Sequence, residues 1–114
     1  MNITRTEDRG IAVFAVAEKI EIDLNNCDAF KNAFSEQIAE NDKIAVLDAA
    51  NIQFFDSAGM GALLAIHKQF KAREGTLHLA TLSRSVQEIF GMVGFDVVFP
   101  VHPDVSAAVE SALD

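Results

Sequence analysis

The chain of 114 residues is 50% hydrophobic and 23% charged, and 17 Asp and Glu against 9 Lys and Arg leave a formal net charge of -8. That length supports one domain, residues 1–114, with a modest core, and no second domain is expected. The few, scattered basic residues exclude a DNA- or RNA-binding face, which has to neutralise phosphates with clustered Lys and Arg, whereas an acidic surface suits partners that carry basic patches.

Cys27 is the only cysteine. It permits no intrachain disulfide, reads as an apolar helix residue, and makes a reducing, intracellular setting the default. The early run "IAVFAVA" ends in the Ala-x-Ala pattern of a signal-peptide cleavage site, but Glu7 and Asp8 cancel Arg5 and Arg9 ahead of it and the run is at the short limit for such a segment. No apolar stretch approaches the length of a transmembrane helix, so the expectation is a cytoplasmic protein with no direct membrane insertion.

In chain order, Ile11–Ala17 reads as a strand paired with a short strand near Ile3 through the turn "EDRG". Cys27, Phe30, Phe34 and Ile38 then recur at steps of three and four, which predicts a helix from about Asn26 to Glu40 with Asn25 or Asn26 as its cap. "KIAVLDAA" is a short continuous apolar run ending near Asp48, as in a strand covered on both faces. A second helix begins near Ser57, carries Met60, Leu63, Leu64, His67 and Phe70, and stops at Gly75. "TLHLATL" is a strand, and "SRSVQEIFGMVG" a helix with Val86, Ile89, Phe90 and Val93 on one stripe and Gly94 as its stop. "DVVFPV" reads as the last strand, and Pro103 and Asp104 open a closing helix carrying Val105, Val109 and Leu113. Alternating elements with short connections predict an α/β domain: a mostly parallel mixed β-sheet with an opening hairpin and about four helices packed on it.

The stretch "FFDSAGMGALL" concentrates the candidate chemistry. As a nucleophile elbow it lacks the glycine two residues before the serine, where Phe55 stands, and His67, His78 and His102 have no neighbours that mark a catalytic base. As a nucleotide motif it supplies G-x-G but has Leu64 in the third glycine's place, and no Gly-Lys-Ser/Thr follows. No metal-ligand spacing is present, so neither a cofactor nor a metal is expected. Asp48 after a central strand resembles a phospho-acceptor aspartate, but the acidic pair and the lysine that a receiver domain needs are missing. Ser57 itself reads as a helix cap. It also reads as an exposed hydroxyl at which an added phosphate would meet free N–H groups and the positive end of the helix.

Asp56, Ser57, Ala58, Gly59, Met60, Gly61 and Leu63 match the pattern D-S-[SA]-G-[LM]-G-x-L, and the segment resembles the signature of the STAS domain, the family of bacterial anti-sigma-factor antagonists. The similarity runs from roughly Ile11 to Leu113. It implies a non-enzymatic switch: Ser57 phosphorylated by a partner anti-sigma factor that is also a serine kinase, dephosphorylated by a serine phosphatase, and free to bind the anti-sigma factor only when unphosphorylated. On the same ground Asp48, Asp56 and Gly59 surround the acceptor, while Asp23, Ala58, Met60, Gly61 and Leu64 contribute to partner binding. An accessory or scaffold role, in a stress-signalling assembly or a membrane transport complex, is the alternative that the family implies. One departure stands out: "IEID" places Ile20 where the family usually has glycine, while keeping Ile22 and Asp23.

Overall fold

Side chains alternate across a strand, so one sheet can bury two different faces. The computed structural model, which describes residues 1–114, uses both. The elements are β1 (Ile3–Asp8), β2 (Ile11–Val16), β3 (Ile20–Ile22), α1 (Cys27–Gln37), β4 (Ile44–Asp48), β5 (Ile52–Phe55), α2 (Ser57–Ala72), β6 (Thr76–Ala80), α3 (Arg84–Val93), α4 (Phe95–Val98), β7 (Val101–His102) and α5 (Val105–Leu113). The main sheet has the order β1-β2-β4-β6-β7. Only β1 is antiparallel to its neighbour, as the opening hairpin requires. Its two-residue turn holds Arg9 at φ 52° and Gly10 at φ 83°, the left-handed pair that matches the twist of a tight hairpin.

On one face, Phe14, Val16, Leu47, Leu77 and Leu79 pack against α1, α2 and α3. Phenylalanine fills most of that space. Phe14 stacks on Phe34 with ring centroids 4.5 Å apart, and Phe34 meets Phe30 and Phe70 edge-on. On the other face, Val13, Val46 and Ala80 lie under Ala108 and Val109 of α5 alone. At the end of the sheet remote from α2's first turn, Arg5 forks onto both carboxylate oxygens of Asp42 at 3.0 and 2.7 Å, and Asp42 also accepts from Ala39 N–H. The Arg5 guanidinium holds the Asp42 carboxyl below the usual carboxylate range against the opposing effect of burial.

The mostly parallel mixed sheet and its opening hairpin are as the sequence predicts, with five helices where about four are expected. Three local expectations are corrected. Helix α1 ends at Gln37 rather than near Glu40, because Ile38 turns extended and the Ala39 N–H goes to the Asp42 side chain. The segment read as a last strand, "DVVFPV", instead begins as the helical turn α4 and leaves only Val101–His102 in the sheet. A helical turn sets Phe95 and Phe99 four residues apart on one side, where their rings meet at 5.7 Å and Phe95 also reaches Phe90. Finally, the short strands β3 and β5, which no sequence pattern announces, pair parallel with each other as a separate two-stranded sheet.

Candidate functional site

The first turn of α2 is built around Asp56 rather than Ser57. Asp56 is the N-cap, in extended conformation, and its Oδ1 accepts the Gly59 N–H at 2.8 Å. This corrects the reading of Ser57 as the cap: Ser57 is the first helical residue, exposed, with its hydroxyl outside the capping bond. The second Asp56 oxygen, Oδ2, accepts the Leu24 N–H at 3.0 Å, so one carboxylate ties the helix start to the turn after β3. Ile22 makes the same connection from below. Its carbonyl accepts the Asp56 N–H, and Gly59 lies so close to that carbonyl that a Cβ at position 59 would overlap it. A glycine is required there by space, not by φ.

The neighbouring turn is locked in its own right. Asp23 Oδ1 accepts from the N–H groups of Asn25 and Asn26, while Asn26 Oδ1 accepts from Asp23 N–H and its Nδ2 donates to the Glu21 carbonyl. Asn26 therefore occupies the N-cap position of α1 without making a capping bond. Ile20, at the family's usual glycine position, opens β3, pairs with Ile52 and packs against the larger core.

Along α2, Ser57, Gly61, Leu64 and Lys68 recur at helical spacing on the outward stripe. Gly61 is exposed with open space where a side chain would be, and Leu64 and Ala58 are half-buried. Met60 is partly buried and packs on the core. Asp23, Asp56, Ser57 and Gly59 are thus brought together. Asp48 is not part of that contact set: it shares the Val46 face of β4, the side covered by α5, and its carboxylate accepts the Ala50 N–H at 3.1 Å in the following turn. The participant that sequence patterns miss is Leu24, whose signal is a lone leucine in the polar run "DLNN".

The histidines lie elsewhere. His67 is about 15 Å along α2 from Ser57 by helical rise and rests edge-on against Phe99. Burial holds its pKa below the ordinary value, with the Lys71 charge a smaller cause in the same direction. His78 and His102 share a 2.9 Å hydrogen bond between Nδ1 and Nε2. No three His, Cys, Asp or Glu side chains converge in a way that would hold a metal ion. No helix is long and apolar enough to cross a membrane.

A sheet backed by helices thus carries a capped helix start that presents Ser57 and the bare Gly61 outward. The chain matches the STAS domain model over residues 2–108 and belongs to that family. Among curated relatives, it is 30% identical over 100 residues to BtrV of Bordetella bronchiseptica, provisionally named an anti-sigma factor antagonist, covering 88% of this chain and 78% of that one. Its fold is similar to an anti-sigma factor antagonist from Mycobacterium paratuberculosis, with a TM-score of 0.85 at 21% identity over 99% of this chain and 94% of the other. It is also similar to the Bacillus cell-fate determinant SpoIIAA, an anti-sigma factor antagonist solved in unphosphorylated and phosphorylated forms. The TM-scores are 0.67 and 0.65, at 15% and 17% identity, covering 98% and 96% of this chain and 97% and 99% of those chains.

Proposed function

We propose that this chain, as a single STAS domain over residues 1–114, is an anti-sigma factor antagonist switched by phosphorylation of Ser57. The observation that carries the reading is the division of labour at α2: Asp56 caps the helix, which leaves the Ser57 hydroxyl exposed and free to be an acceptor. The BtrV relative and the solved phosphorylated form of SpoIIAA support the class. In this reading the partner is an anti-sigma factor with serine kinase activity. It docks over Asp23, Ala58, Met60, Gly61 and Leu64, with Asp56 and Gly59 shaping the acceptor turn.

Phosphorylation adds a charge of about -1.5 to -2 beside Asp56, on a chain already at -8. The first-turn N–H groups and the helix dipole accommodate the phosphate, so the domain stays folded. The bound partner instead meets a desolvated dianion in its interface and leaves. A serine phosphatase resets the switch. The domain contributes no catalytic residue, and the cytoplasm is where such partners work.

The test is incubation with the cognate anti-sigma kinase and ATP, read by intact mass. Wild type should gain one phosphate and Ser57→Ala none, and Ser57→Asp should bind the kinase at least tenfold more weakly. A wild type that gains no phosphate, or a Ser57→Ala variant that gains it equally, overturns the switch.

A further inference from the structure

Leu24 is 76% exposed. A large apolar side chain in that position is usually mobile, yet here every backbone N–H from Asp23 to Cys27 is hydrogen-bonded. Its own N–H goes to Asp56 Oδ2, the next two N–H groups go to Asp23 Oδ1, and the Cys27 N–H goes to the Asp23 carbonyl. Asn26 closes the turn from the other side through Asp23 N–H and the Glu21 carbonyl. A leucine presented on a pre-ordered turn gives up little backbone freedom when a partner covers it. It gains the full benefit of leaving water.

The same Asp56 carboxylate that holds Leu24 caps the helix carrying Ser57, through Gly59 N–H. Leu24 and the acceptor serine are therefore fixed relative to one another by the Asp56 carboxylate together with the Ile22 carbonyl and the β3–β5 pairing, and a protein docked over one lies against the other. The surroundings state the partner's chemistry. Glu21, Asp23 and Asp28 lie within four residues of Leu24 and Asp56 adds a further carboxylate, while the nearest basic residues in sequence, Lys19 and Lys31, stand five and seven positions away.

Resting on the proposed function, we infer that Leu24 is the apolar anchor by which the anti-sigma kinase recognises this chain. It enters an apolar pocket of the kinase bordered by Lys or Arg. Anchors dominate interfaces when they are central and fully desolvated; leucine is a less common anchor than the aromatics, and what favours it here is the pre-ordered turn beneath it. Leu24 acts in docking, not in phosphoryl transfer.

The experiment measures affinity by calorimetry, and steady-state phosphorylation of Ser57, with the full chain and its cognate kinase. Leu24→Ala should weaken binding about tenfold or more, raise KM for the phosphorylation by a similar factor and leave kcat unchanged, and Leu24→Met should recover most of the loss. Met92→Ala, which truncates a side chain 82% exposed at the end of α3, should change none of these. Added salt should weaken wild-type binding, as a basic pocket rim requires. If Leu24→Ala binds and is phosphorylated like wild type while Ser57→Asp no longer binds, the anchor is wrong and the switch stands. If Leu24→Ala lowers kcat with KM unchanged, docking is the wrong role. If the wild type neither binds the kinase nor takes phosphate, the functional reading falls first and the anchor with it.

Discussion

Gly59 and Gly61 sit two positions apart in α2 under opposite constraints. Gly59 is buried against the Ile22 carbonyl, so Gly59→Ala should force the helix off β3 and cost about 1–3 kcal/mol. Gly61 faces open space within a helix, where alanine is the better helix former, so Gly61→Ala should stabilise the fold by up to about 1 kcal/mol. Urea unfolding of the two variants checks both signs, and a Gly61→Ala that gains stability but loses partner affinity would show that the bare backbone is used for binding. The D-S-A-G-M-G pattern is legible in the sequence as a special site. The assignment of roles within it is not. Ser and Asp are both good N-caps, and only the position of Ile22 and Leu24 around the turn decides that Asp56 takes the capping bond while Ser57 stays free.

At the level of elements, the long periodic segments are readable and the short ones are not. β3 and β5 span three and four residues, too few for a period to emerge, and each is a strand only because the other lies beside it. The α4 turn contradicts the β-branched character of its valines because Phe95 and Phe99 gain more from meeting Phe90 and the core. The β6–β7 edge carries a pH dependence. Burial first, and the His102 charge second, hold the His78 imidazole below its ordinary pKa. Above about pH 6.5 both folded and unfolded chains leave this group neutral. As pH falls below that value, the unfolded chain takes up a proton that the folded chain declines, so stability falls until the depressed folded pKa is reached. His67, lowered for the same chief reason, acts in the same direction. Unfolding free energy should therefore decline as pH falls below about 6.5, His78 contributing a slope of at most about 1.4 kcal/mol per unit. His78→Leu should flatten the profile, and an unchanged slope would remove the histidine pair as its source.

For the molecule as a whole, the two faces of the sheet are unequal. One is sealed by α1 to α4 and an aromatic cluster, the other by α5 alone. Phe34 is fully buried and touches Phe14, Phe30 and Phe70, so it links β2, α1 and α2. Phe34→Ala should cost about 3–5 kcal/mol, a large share of the stability of a domain this size, whereas Phe34→Leu should cost about 1.5 kcal/mol or less. Thermal unfolding of the pair distinguishes loss of volume from loss of the aromatic contact itself.

By itself the sequence determined what depends on local chemistry and periodicity: an acidic α/β chain, a mostly parallel sheet with an opening hairpin, the helical stripes that bury phenylalanine, and a signature that contains Ser57. Those features follow from residue types at fixed spacings, which each segment carries without its neighbours. Tertiary structure decided what depends on residues far apart in the chain. It set Asp48 on the α5 face, joined Leu24 to the helix of Ser57 through Asp56 across 32 positions, and drew His78 to His102. A carboxylate has two oxygens and can serve two N–H groups, and which two it serves is a matter of packing that no local pattern encodes.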